Sequence, residues 1–218
     1  MYLLTILTTL STTVIATVIA LPYAVALPRP TFTNITYSGS ACPENGLTFT
    51  LGNLTATSNS TSSAPLTFTL SNFLPSFGSF GSSLRMCNAV TFITVDKGWR
   101  VRVNEKGTTA KGEAQLPGNA TMYFRDTWMF AEPPFEQSIG MLDVPGPLGG
   151  AFSQLVTPVE GNGRGVEGGC EGGETELDVE FQARAVNDTY GDDAEGVVGE
   201  RGVDTAWSLT TDVEVLKC

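Results

Sequence analysis

The chain has 218 residues, 41% of them hydrophobic, with 12 Lys and Arg against 23 Asp and Glu, four Cys and no His. A formal charge of −11 argues against nucleic acid as a partner, because affinity for a phosphate backbone comes from clustered Lys and Arg. The lack of His removes Ser-His-Asp and Cys-His catalysis, His-ligated zinc or copper, and the commonest general base near neutral pH.

Residues 1–28 carry no charged side chain and include Ala24-Val25-Ala26, a small-x-small tripeptide of the kind signal peptidase cuts. The stretch from Leu3 to Ala20 invites comparison with a membrane anchor, which needs about 20 apolar residues. Thr5, Thr8, Thr9, Ser11, Thr12, Thr13 and Thr17 dilute it, no Lys/Arg stop-transfer flank follows, and Pro22 and Pro28 break a helix there. A signal peptide over residues 1–26 is therefore expected, with a cut after Ala20 as the alternative. Residues 27–218 would then form one secreted domain with no stable membrane anchor.

Downstream, period-two alternation recurs. Leu47, Phe49 and Leu51 alternate with Thr48, Thr50 and Gly52, and Leu66, Phe68 and Leu70 with Thr67, Thr69 and Ser71. Trp99, Val101 and Val103 oppose Arg100 and Arg102. Met122, Phe124, Trp128 and Phe130 share a parity in which Asp126 is the odd member. Leu177, Val179 and Phe181 oppose Glu176, Asp178 and Glu180, and Trp207, Leu209, Val213 and Val215 oppose Ser208, Thr210, Asp212 and Glu214. Gly, Pro, Ser and Asn clusters lie between the runs, and no stretch after the leader has a helical period. The expected fold is all-β: a single antiparallel β-sandwich domain with two disulfides.

The charge is uneven. Residues 1–159 hold eight acids and eight bases, whereas residues 160–218 hold fifteen acids and four bases. Within that acidic part, Glu174, Glu176, Asp178 and Glu180 are spaced by two and so share one face of a strand. The simplest reading is a solvated outer face. A calcium site using Glu171 or Glu174 with loop carbonyls or Asp192-Asp193, or a docking face for a basic partner, are the alternatives; no other cofactor is expected. Gly161, Gly163, Gly165, Gly168 and Gly169 read as a flexible connection, because no helix follows and acidic neighbours would repel phosphate. Arg100 and Arg102 read as a sheet's outer face. The rings of Phe73, Phe77 and Phe80, with Trp99, are candidates for stacking on sugars, although the loop rings could equally plug one end of the sandwich.

Wide cysteine spacing, no C-x-x-C pair and no His argue for disulfides rather than zinc. Of three connectivities we favour Cys42–Cys87 with Cys170–Cys218, which clips each contiguous half of the chain. Five N-x-S/T sequons, at Asn34, Asn53, Asn59, Asn119 and Asn187, are expected glycan acceptors on exposed turns.

The layout is also familiar as a whole. Ser38-Gly39-Ser40-Ala41-Cys42-Pro43 follows an Ile-Thr strand, a Gly/Ser loop closes on Arg85-Met86-Cys87-Asn88, and an aromatic-basic strand follows Gly98. Gly146-Pro147-Leu148-Gly149-Gly150 forms a turn, Cys170 precedes an alternating strand, and the last strand ends in Lys217-Cys218. Over residues 34–218 this resembles the small secreted fungal and bacterial proteins grouped as domain of unknown function 4360. The chain departs from that pattern at Glu105-Lys106-Gly107 and at Gly168-Gly169-Cys170-Glu171. The resemblance implies a secreted, disulfide-bonded β-sandwich, of fungal type, and brings no catalytic residues. The expected role is a non-catalytic binding or interaction module for an extracellular polysaccharide or a wall or host protein. A His-free hydrolase using a carboxylate pair, either glycosidase or acid peptidase, is the competing class.

Overall fold

Alternating runs become strands because each then buries one row of side chains and leaves the other in water. The computed structural model describes residues 27–75, 77–78, 81–82, 84–132, 136–159, 165–187 and 206–218, so the leader lies outside the described residues. In chain order the strands are β1 (Thr31–Ser38), β2 (Leu47–Leu51), β3 (Thr55–Ser58), β4 (Thr61–Leu70), β5 (Phe77–Gly78), β6 (Gly81–Ser82), β7 (Leu84–Val95) and β8 (Trp99–Val103). They continue as β9 (Thr108–Leu116), β10 (Ala120–Phe130), β11 (Gln137–Pro145), β12 (Leu148–Pro158), β13 (Val166–Glu167), β14 (Gly173–Asn187) and β15 (Trp207–Lys217). No helix occurs among the described residues.

The main sheet runs β1-β7-β14-β10-β11-β12-β9-β15-β4-β2 and folds over on itself as an antiparallel β-sandwich. The strands from β1 to β11 form one layer and those from β12 to β2 the other. The corner lies in β12: Leu148–Val156 pair with β9, whereas Thr157 and Pro158 pair with Met141 and Gly140 of β11. β15 organises the second layer, pairing with β4 along one side and with β9 and then β8 along the other. On the side away from the corner, Phe32 of β1 meets Phe49 of β2 at 5.0 Å between ring centroids.

Rings tie the layers together in edge-to-face contacts, the arrangement that their quadrupoles favour. Phe68 of β4 meets Trp128 of β10 at 5.8 Å and Phe181 of β14 at 5.3 Å. Trp207 meets Phe73 at 5.1 Å and Phe152 at 4.6 Å, and Phe73 reaches Phe124 at 5.5 Å. The core is thus continuous from β1 to β12.

The odd-parity Asp126 is fully buried. Its Oδ1 accepts the Gly140 N–H at 2.8 Å and its Oδ2 the Trp128 Nε1–H at 3.2 Å. A Cβ on Gly140 would stand 2.2 Å from that Oδ1 and 2.8 Å from Val156 Cγ1. Gly140→Ala is therefore expected to lower stability by about 1–3 kcal/mol, the usual cost of overpacking, as urea denaturation would measure.

The disulfides are Cys42–Cys87 and Cys170–Cys218, with Cα atoms 5.5 Å and 6.0 Å apart, in agreement with the favoured pairing. The first fixes the turn after β1 to β7. The second fixes the chain end to the segment before β14, where Cys218 N donates to Gly98 O and Gly98 N to Cys170 O.

Candidate functional site

Strand register decides what the outer face of the first layer presents. On β10 the outward row is Thr121, Tyr123, Arg125, Thr127 and Met129, alternating with the buried Met122–Phe130 row. Tyr123 stands between Arg184 of β14 and Asp143 of β11, Arg125 between Gln182 and Met141, and Thr127 between Glu180 and Ile139. Across β14, Glu176, Asp178 and Glu180 adjoin Phe92, Val90 and Asn88 of β7.

Two depressions mark this face. One, of about 440 Å³, is lined by Asn88, Arg125, Thr127, Glu176, Asp178 and Glu180 among others. The second, of about 760 Å³, is lined by Leu84, Tyr123, Arg125, Met141, Asp143 and Arg184 among others. Arg125 lines both, so they form one groove across the strands. Leu84, Tyr123 and Met141 are 49%, 41% and 53% exposed, an apolar patch of the kind that marks an interaction surface.

The polar end is less self-sufficient than an ordinary outer face. Asn88 Oδ1, Arg125 Nε, Thr127 Oγ1 and Asp178 Oδ1 are shielded from solvent and have no hydrogen-bond partner in the protein. Leaving such an atom unpaired costs about 1–3 kcal/mol, so the four side chains, all lining one depression, carry unused hydrogen-bonding capacity. Burial, and then the charge of Glu176, pushes the Asp178 carboxyl above the usual carboxylate range. Glu180 is engaged by the Gln182 amide. The groove can therefore offer an aromatic ring, a guanidinium, a hydroxyl, an amide oxygen and carboxyl groups to one ligand.

The acidic ladder occupies the outer face as its spacing requires. Glu174 accepts from Thr33 Oγ1 at 3.3 Å, while Glu176, Asp178 and Glu180 line the groove. Successive members are about 7 Å apart along the strand, and no group of three or more carboxylates among the described residues is placed to hold a metal ion. Asp192 and Asp193 lie outside the described residues.

The aromatic candidates are not brought together. Phe73 is fully buried between Phe124 and Trp207, so it plugs the core rather than presenting a ring. Trp99 is half-buried and pairs with Lys217, ten positions along β15 from Trp207, or about 33 Å at strand rise. A site containing both Phe73 and Trp99 is excluded by that separation. The Phe77 side chain and all of Phe80 lie outside the described residues.

Arg100 and Arg102 sit on the outer face of the second layer and are neutralised there. Glu167 takes Arg100 Nη1 at 2.6 Å and Arg102 Nε at 2.6 Å, and Arg102 Nη1 approaches Glu214 at 3.6 Å. Lys106 bridges Asp212 at 3.1 Å and Glu214 at 3.2 Å. Among the sequons, Asn34, Asn53 and Asn59 are exposed and Asn119 is half-exposed; the Asn187 side chain lies outside the described residues.

A family model described as domain of unknown function (DUF4360) matches residues 28–218, nearly the whole chain. The chain belongs to the DUF4360 family. No curated protein matches it. Two of the segments that carry the resemblance, Ser38–Pro43 and Arg85–Asn88, meet at one end of the first layer. Gly39 takes φ +137° with its Cα against the Met86 carbonyl, which a Cβ would approach to 2.1 Å. Ser40 Oγ accepts the Met86 N–H at 3.2 Å, Ala41 N donates to Met86 O at 3.0 Å, and Cys42 bonds to Cys87. Arg85 Nε donates to Leu74 O at 3.3 Å. These residues build the DUF4360 fold; only Asn88, the last of the second segment, faces the groove.

Tyr123, Arg125, Thr127 and Asn88 were not singled out from the sequence. The signal for the first three was present, as the row alternating with Met122–Phe130. What the alternation could not show is that β10 is flanked by β14 and β11, which makes that row the floor of a groove.

Proposed function

We propose that this DUF4360 protein is a secreted, non-catalytic binding module that holds a polyhydroxylated chain, such as a wall polysaccharide, in the groove across β7, β14, β10 and β11. The observation that carries this reading is the grouping of four side chains with unused hydrogen-bonding capacity around a depression that adjoins, at Arg125, the one lined by the exposed Tyr123 ring. Sugars present an apolar face to stack on a ring and a rim of hydroxyls that both donate and accept, which matches that mixture. Export is supported by the leader, the exposed sequons and two disulfides. No helix among the described residues is long and apolar enough to cross a membrane.

The test is co-sedimentation with insoluble wall polysaccharides at acidic pH, with the supernatant assayed for released sugar. Arg125→Ala and Tyr123→Ala are each expected to weaken retention at least about tenfold, or about 1.4 kcal/mol, without changing the melting temperature. Leu155→Ser, exposed on the second layer, should bind like the parent. Equal retention of all three variants would remove the groove from consideration.

A second reading has one observation in its favour. Asp178, with its raised pKa, lies beside Glu176 at a strand spacing of about 7 Å, within the separation used by inverting glycosidases. There Asp178 would protonate the leaving oxygen and Glu176 would activate water. Sugar release abolished by Asp178→Asn would establish it over the non-catalytic reading.

A further inference from the structure

Asp126 belongs to a polar cluster sealed between the layers. Asn104, Thr108, Ser138 and Thr211 are buried with it, and Asp126 is the one ionisable side chain among the fully buried polar residues described. Thr108 Oγ1 donates to Asn104 Oδ1 at 2.9 Å, Asn104 Nδ2 donates to Ser138 Oγ at 3.1 Å, and Thr211 Oγ1 donates to Asn104 Oδ1 and Gly107 O at 3.2 Å and 3.0 Å. Thr108 also hydrogen-bonds the Asp126 carboxyl.

We propose that Asp126 is held in the folded protein as the neutral acid, so that its contribution to stability is fully present in acidic surroundings and is lost on neutralisation. The groups in contact with it are Thr108 from β9, Gly140 from β11 and Trp128 on its own strand, with Phe181 opposite it on β14; Val156 from β12 lies beside Gly140, and Asn104, Ser138 and Thr211 join through Thr108. None is charged. The charged residues adjoining these positions, Arg125, Glu180, Lys106 and Asp212, belong to the outer faces, where Lys106 and Asp212 pair with each other. An ionised carboxylate would have no cation to offset its burial. Burial, outweighing the bonds from Thr108, Trp128 and Gly140, raises the carboxyl's pKa accordingly.

The direction of the pH effect follows from proton linkage. The folded state holds this proton more tightly than the unfolded chain, so the stabilisation is complete below the unfolded pKa of about 3.9 and falls as pH rises towards the folded value. The deciding experiment is urea denaturation of the full secreted protein and of Asp126→Asn from pH 4 to pH 7. Asn can accept from Gly140, but its Nδ2 cannot accept from Trp128, which gives the variant a penalty independent of pH. The folded-to-unfolded ratio of the variant, relative to the parent, should rise between pH 4 and pH 7 by about tenfold for each unit by which the folded pKa exceeds the unfolded one. A ratio that stays constant across that range overturns the proposal. Should the variant not fold, the Asp126 carboxyl carbon of the parent can be followed by ¹³C NMR. A shift characteristic of the protonated acid at pH 6 supports the proposal, and a carboxylate shift there refutes it.

Discussion

Trp207→Ala is expected to destabilise the protein by about 3–5 kcal/mol, the largest effect of any single substitution considered. Trp207 opens β15 and is fully buried; its ring packs edge-on to Phe73 and Phe152, and Gly112 lies against its face. A Cβ at Gly112 would come within 2.5 Å of Trp207 Cδ1, so the backbone of β9 is seated directly on the indole. Removing the ring leaves a cavity bounded by β9 and β12, which are held in place by their own ladder and cannot readily collapse into it. The indole nitrogen itself contributes little, because Trp207 Nε1 is buried without a partner. Trp207→Phe should therefore cost less than about 1.5 kcal/mol, since it loses volume but also an unpaired donor. Urea denaturation of both variants tests the account. An alanine variant within 1 kcal/mol of the phenylalanine variant would show that the indole cavity is not what the site loses.

The second large effect concerns the Cys42–Cys87 cross-link. It closes a loop of sequence separation 45, for which the loss of denatured-state entropy corresponds to about 4 kcal/mol. Both cysteines are buried, so the Cys42→Ala/Cys87→Ala pair is the suitable test; serine would add buried hydroxyls. The local fold should survive in part, because Ala41 N–Met86 O and Met86 N–Ser40 Oγ hold the same turn to β7 without the sulfurs. The signature that separates a cross-link effect from lost packing is the urea dependence. Freeing the unfolded chain exposes more surface and should raise the m-value, whereas a cavity alone leaves it unchanged. A double variant with both stability and m-value unchanged would mean that the hydrogen bonds, not the sulfurs, hold this end of the layer.

The polar groove and the sealed Asp126 are two faces of one strand. Arg125 and Thr127 face outward on β10, and Asp126 between them faces the core, where it accepts the Gly140 N–H of the adjacent β11. The groove floor is therefore anchored from behind by a buried carboxyl, while Arg125 Nε and Thr127 Oγ1 lack hydrogen-bond partners in the protein. Rigid support under unpaired polar groups is what a preorganised binding surface needs.

The strands read from alternation are those with one apolar row and one polar row: Leu47–Leu51, Leu66–Leu70, Trp99–Val103, Met122–Phe130, Leu177–Phe181 and Trp207–Val215. The strands that escaped it lack that contrast. In β7 the inward Cys87, Ala89, Thr91 and Ile93 alternate with outward Met86, Asn88, Val90 and Phe92, so each row is apolar but for one residue and the contrast is lost. In β12 only Phe152 and Val156 are buried, because the strand turns the corner between layers. The sequence alone determined the fold class, the parity of Asp126 and the outward carboxylate row, because these follow from two-residue periodicity, whereas the favoured disulfide pairing was one of three that it allowed. Which strands lie side by side was decided only by tertiary structure. Ladders such as β10 with β14 and β15 with β4 join residues far apart in sequence, and packing of the two inner faces selects them. That selection sends Phe73 into the core, separates it from Trp99 by the length of β15, and sets Tyr123, Arg125, Asn88 and Asp178 along one groove.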